Sequence, residues 1–219
     1  MATRPSVNGT PQYVNSTNTV AITLAAAVNK LLVFGTYFYV STGAAAGTAT
    51  YNSVAMTRLG GIEIAAGTRS LIIEIFELDA PATGSPHNAV YSPGSTPTDL
   101  AVIAVPIQDA GDIGVTSPAS ADNGSATNAT VSFDTEDVDG LIVALAARRG
   151  GGTPPLWTAG SGSTEWVDSA TGTSSSFDLI YTLLTEPATG GTDTINSTVA
   201  TANNIGILAV EIKSIVAAG

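Results

Sequence analysis

The sequence predicts an all-β protein, a β-sandwich or jelly roll, and three observations predict it. Short runs alternate apolar and small polar or charged residues, as in Ile62-Glu-Ile64 and Ile73-Glu-Ile75, the pattern of strands with one face on a core. Gly, Pro, Asn and Asp punctuate these runs at short intervals, as turns require. No stretch carries the i, i+3, i+4, i+7 spacing over several turns that an amphipathic helix needs. Leu24-Ala25-Ala26-Ala27 spans barely one turn.

The strand pattern occurs twice. The segment from Val20 to Val33 matches that from Val131 to Val143, each an alternating strand, a turn (Asn29-Lys30 or Asp139-Gly140) and an apolar strand. Pro81-Ala-Thr-Gly84 is repeated as Pro187-Ala-Thr-Gly190, and Ala101-Val-Ile-Ala-Val105 resembles Gly206-Ile-Leu-Ala-Val210. Val131 follows Val20 by 111 residues, Pro187 follows Pro81 by 106, and Gly206 follows Ala101 by 105. Blocks in the same order with slowly drifting offsets predict an internal duplication. The two copies, of about six strands each, are expected to interleave as one compact unit with a pseudo-two-fold.

The expected boundaries are an extended N-terminal arm (1–18), a first repeat (19–110), a polar connection (111–128) and a second repeat (129–219). Strands are expected near 20–25, 31–40, 51–59 with 62–65, 70–78, 88–92 and 100–108. In the second repeat they fall near 129–135, 141–148, 155–158 with 164–168, 177–184, 193–199 and 205–213. Leu31-Leu-Val-Phe34 and Leu141-Ile-Val-Ala144 are unbroken apolar runs, the mark of strands buried on both faces. The arm is polar, contains Pro5 and Pro11, and is expected to order only against a neighbouring molecule.

Composition narrows the function. Charged residues make up 11% of the 219-residue chain, less than half the usual ~25%, which leaves a neutral, hydroxyl-rich surface. With 7 basic against 18 acidic residues, the net charge is −11. Such a chain lacks the Lys/Arg surface that binding to nucleic acid or anionic membrane requires. There is no cysteine, so disulfides and thiolate sites are excluded. The N-terminal sequence has no apolar core of a signal peptide, and no apolar run approaches the ~20 residues of a membrane helix. Synthesis in a cytoplasm without export is expected.

Few residues suggest chemistry. His87 is the single histidine, so a Ser-His-Asp triad would have to use it; its place after Gly84-Ser-Pro reads as a loop. The acidic run Asp134-Thr-Glu136-Asp137-Val-Asp139 offers candidate Ca2+ ligands, since calcium takes carboxylate oxygens. The EF-hand spacing is absent, however, and the first copy carries Thr23-Leu-Ala-Ala-Ala27 at the same place, so no metal is assigned. Trp157 and Trp166 flank a Gly/Ser-rich loop and are the candidate sugar-stacking residues. Against that, Trp157 aligns with Tyr51 of the first copy, which suggests core packing. Arg148-Arg149-Gly150 lacks the Gly-Lys-Ser/Thr of a phosphate loop. No catalytic residue or cofactor is expected.

The apolar strand after Asn29-Lys30 or Asp139-Gly140, the segment Tyr51-Asn-Ser-Val-Ala-Met-Thr57 and the strand ending in Pro-Ala-Thr-Gly together resemble a β-sandwich family of tailed-phage virion structural proteins. The resemblance runs from about Val14 to Lys213. It implies a capsid decoration (cement) protein, or a tail or fibre module, located in the virion. The partners it implies are the major capsid protein, other virion proteins and further copies of the chain. The alternative expectation is a carbohydrate- or receptor-binding module of a phage fibre or bacterial surface protein.

Overall fold

The computed structural model describes residues 2–150, 156–172 and 178–216. It is all-β, without a helix among the described residues and without a closed barrel. In the first half the strands are β1 (Ala2–Thr3), β2 (Ser6–Val7), β3 (Gln12–Asn15), β4 (Thr19–Thr23), β5 (Val28–Tyr39), β6 (Thr48–Tyr51), β7 (Val54–Ala55), β8 (Thr57–Ala66), β9 (Arg69–Asp79), β10 (Pro86–Ser92) and β11 (Asp99–Gln108). In the second they are β12 (Ala110–Ile113), β13 (Ala119–Asp134), β14 (Leu141–Arg149), β15 (Trp157–Ala159), β16 (Thr164–Ala170), β17 (Leu179–Pro187) and β18 (Thr192–Val216).

All pairings are antiparallel. In the first half a main sheet runs β11-β5-β9-β8, with β2 and β3 on the outer edge of β11, and an outer sheet runs β4-β10-β6-β7. In the second half the later part of β18 pairs with β14, which leads on to β17 and β16. The earlier part of β18 pairs with β13 and β15 to form the outer layer.

The two main sheets pack face to face, so their strands are covered on both sides. Along β5, Leu32, Phe34 and Phe38 enter the core shared by the halves, while Leu31, Val33 and Tyr37 enter the core beneath the outer sheet. Along β14, Leu141, Val143 and Leu145 join the shared core, and Ile142, Ala144 and Ala146 face the outer layer. This is why both strands read as unbroken apolar runs. Each large apolar side chain buried here contributes about 1.5–3 kcal/mol.

The halves are therefore separate sandwiches stacked back to back, not strands interleaved in one sandwich. The hydrogen-bonded order is nevertheless the same in both. Val20 pairs with Ala89 as Val131 pairs with Ile195, and Thr36 pairs with Ala101 as Ala147 pairs with Gly206. At the Pro-Ala-Thr-Gly motif the correspondence slips. Ala80 bonds to Asn29 and Ala188 to Gly140 in the same way, so the motif sits two residues apart in the two halves.

Two expectations are corrected. Residues 2–18 do not wait for a neighbour: Val7 pairs with Ile107, Val14 with Val102, and Thr3 with Ile215. The edge of β11 supplies backbone partners, and Pro5 and Pro11 are buried. Residues 111–128 are likewise strand-forming, with Ile113 opposite Ile212 and Ala121 opposite Ile207. Residues 6–15 thus edge the main sheet of the first half and residues 110–126 that of the second, while β1 crosses over to pair with the end of β18.

Turn chemistry corrects two smaller points. The first turn lies at residues 25–28, closed by Val28 N–H on Ala25 O, so Asn29-Lys30 belong to β5. Tyr51-Asn-Ser-Val54 is a hairpin rather than one strand. Asn52 and Ser53 both have positive φ (48° and 64°), as a type I′ turn demands.

Phe34→Ala is expected to cost about 3–5 kcal/mol by opening a cavity in the shared core. Both tryptophans lie in the second half. Their fluorescence during denaturant unfolding should therefore shift to a lower midpoint, although the substitution is in the first half.

Candidate functional site

The residues singled out by sequence do not converge. His87 lies on β10 with its ring edge-on to Tyr51 at 5.7 Å, beside an open hollow lined by Asn52, Ser53 and Asn88. No carboxylate bonds to it among the described residues.

The acidic turn is stitched to its surroundings. Asp134 accepts from the Thr192 hydroxyl at 2.6 Å, and Asp137 accepts from the Ser214 N–H and hydroxyl at 2.6 and 2.5 Å. Glu136 pairs with Lys213 at 2.9 Å and Asp139 with Arg4 at 3.6 Å. Burial works against the charge on Asp137, but the Ser214 and Asp139 hydrogen bonds outweigh it and hold its carboxyl below the usual range. Beneath the turn, the fully buried Glu211 carboxylate accepts the N–H groups of Glu136 and Asp137 at 2.9 Å. No group of three or more His, Asp or Glu side chains among the described residues is arranged to hold a metal.

The tryptophans lie in different environments. Trp157 is buried in the second-half core (4% exposed) and presents no face for a sugar. Trp166 is exposed on β16 and donates its indole N–H to Thr185 Oγ1 at 2.8 Å.

The most connected polar group is one the sequence reading passed over. Glu74 on β9 is buried (1% exposed). Its carboxylate accepts from Arg58 Nε at 2.8 Å, from the Tyr91 hydroxyl at 2.5 Å and from Gly47 N–H at 3.1 Å. Glycines make the room. Gly35 and Gly61 flank Glu74 on the neighbouring strands, and a Cβ at Gly35 would collide with the Tyr91 ring. A Cβ at Gly47 would lie 2.6 Å from Glu74 Oε2. Nearby, Glu63 accepts from Gly43 and Ala44 N–H. The two carboxylates thus tether the segment between β5 and β6 over a hollow of about 180 Å3.

The second half repeats the device with other residues. There Asp168 accepts from Leu156 and Trp157 N–H at 2.5 and 3.0 Å, tethering the end of the segment between β14 and β15. Asp168 is opposite Thr182, which is opposite Ala146; Glu74 is opposite Gly35, and Ala146 follows Gly35 by 111 residues. A carboxylate in each half, buried at Glu74 and half-buried at Asp168, therefore accepts backbone N–H groups at the entry to β6 or β15. Each of these groups faces donors of its own chain.

No protein-family model, curated protein or solved structure matches the chain.

Tyr91→Phe removes one donor from buried Glu74 and is expected to cost about 1.5–3 kcal/mol. Gly35→Ala should destabilise further by displacing the Tyr91 ring; thermal melts of the two variants check both. Burial and the Glu74 charge push the Tyr37 hydroxyl up to about 12. Burial also raises Tyr51, Tyr91 and Tyr181. Ultraviolet titration should thus find these four ionising late. Their contribution to stability should hold below the ordinary value of about 10 and fall away as pH rises beyond it.

Proposed function

We propose that the chain is a structural component of a larger protein assembly, most specifically a decoration protein on the outer surface of a phage head. The observation that carries this reading is the use of the polar side chains. Glu74, Glu63, Asp137 and Glu211 spend their oxygens on internal donors, and Asp168 spends its Oδ2 on the Leu156 and Trp157 N–H groups, so groups that could do chemistry instead fix loops. The surface left over is broad, weakly charged sheet suited to flat packing against other subunits, and the virion resemblance of the sequence points the same way. On this reading the chain is not an enzyme and needs no cofactor.

We also infer that the halves are copies of one ancestral sandwich. The matched registers of β4 with β13, β5 with β14 and β11 with β18 support this. A carbohydrate-binding role retains one supporting observation, the exposed ring of Trp166.

Quantitative mass spectrometry of purified particles is expected to find the chain at a copy number comparable to that of the shell subunit. Absence from particles would overturn the proposal, and a few copies per particle would move it to a fibre. If Trp166→Ala abolished binding on a glycan array, the carbohydrate reading would replace it.

A further inference from the structure

The outer sheet of the first half ends on β4, and this edge is open among the described residues. Gly84 N–H bonds to Leu24 O and Tyr91 N–H to Asn18 O, each at 2.9 Å, so the even-numbered residues face β10. Residues alternate sides along a strand, so Thr19, Ala21 and Thr23 turn their N–H and C=O groups the other way. β10 is the only strand paired with β4 among the described residues. Beside the edge lies a groove of about 520 Å3, lined by Ala21, Thr23, Asn8, Thr10, Gln12 and Pro106. None of its lining residues is charged.

The corresponding edge of the second half is capped on either side of its middle residue, Ser132. There the later part of β13 turns Thr130, Ser132 and Asp134 outward, because Thr135 N–H bonds to Gly191 O at 2.8 Å on the other side. The Asn123 side-chain amide meets both outward groups of Thr130, donating to its carbonyl at 3.1 Å and accepting from its N–H at 3.0 Å. The Thr116 hydroxyl covers the Asp134 carbonyl, and Asp134 itself places a charge there. Side-chain caps and charges are the usual protection of a sheet edge. β4 has neither: its sequence is Thr19-Val-Ala-Ile-Thr23.

That sequence is nearly symmetric about Ala21: Thr19 mirrors Thr23, and the β-branched Val20 mirrors Ile22. We propose that β4 pairs antiparallel with β4 of a second copy of this chain, joining two outer sheets across a two-fold axis. Ala21 then faces its own counterpart, and Thr19 faces Thr23 of the other molecule. These are the residues whose backbone groups point outward, so every open group finds a partner in one register. Val20 and Ile22 stay in their own cores, at 1% and 5% exposure, and line up as cross-strand neighbours. A self-complementary patch is what an isologous dimer requires. The net charge of −11 makes the copies repel at a distance, so added salt should strengthen the pairing. The proposal stands apart from the virion reading, since it concerns the isolated chain.

The test uses the absence of native cysteine. Hydrogen-bonded antiparallel pairs hold Cα atoms about 5.5 Å apart, within the range a disulfide spans. Ala21→Cys is expected to form a disulfide-linked dimer under mild oxidation. Ser132→Cys, at the corresponding place between the capped residues Thr130 and Asp134, is not. Sedimentation of the unmodified chain should show a concentration-dependent dimer favoured by salt. Ala21→Lys should weaken it about tenfold or more without altering the circular dichroism or the melting temperature. A chain that stays monomeric, a dimer indifferent to Ala21→Lys, or equal cross-linking at both cysteines would overturn the proposal. Cross-linking of Ala21→Cys to a different protein in particles, with the free chain monomeric, would also overturn it and assign the groove to that protein.

Discussion

The structure depends on burying both faces of two main sheets. A sandwich of two layers leaves its outer faces to solvent, and Leu32, Phe34, Ile73, Ile103, Val143, Leu145, Leu183 and Val210 would be exposed on such faces. Stacking the halves back to back removes that surface from water in one step. The consequence is a four-layer molecule in which the central strands carry no polar face, so polar groups gather in the outer cores, at the loops and at the edges.

Seen this way, the buried carboxylates follow from the architecture. The loop leaving β5 crosses from the central sheet to the outer one, and the N–H of Gly47 loses water as it does so. Glu74 replaces that water at Gly47, and Asp168 receives the N–H groups of Leu156 and Trp157. The cost of burying the Glu74 charge is offset by Arg58, Tyr91 and Gly47 together, in line with the rule that buried charges survive only when fully partnered. Chain edges are handled with the same economy in most places. Residues 6–15 cover β11, residues 110–126 cover β18, and β1 returns the N-terminus to the far end of β18.

Much of the fold was legible in the residues. Alternation located the strands to within a few positions, and unbroken apolar runs marked β5 and β14 as doubly covered. The spacings of 111 and 105 residues reappeared as matched pairing registers. Less legible were segments whose role is set by a distant partner. The arm looked too polar to fold because its apolar content is small, yet Val7 and Val14 need only complete a core built by other strands. Likewise Glu74 and Asp168 looked like ordinary strand carboxylates, whereas the alignment of Trp157 with Tyr51 already pointed to its place in the core. Gly35, Gly47 and Gly61 were the sequence trace of the Glu74 site, since each leaves space where a side chain would collide.

What the sequence by itself determined was local: strand class, turn positions, doubly buried strands, the repeated order of elements, and the absence of a basic surface or thiol chemistry. These depend on periodicity and composition, which operate over a few residues at a time. The tertiary structure alone decided that the halves stack rather than interleave, that the arm and the connection are edge strands, and that certain carboxylates become loop anchors. Those outcomes turn on which surfaces meet across more than a hundred residues of chain, and a carboxylate becomes an anchor only when the fold brings backbone donors to it and takes the water away.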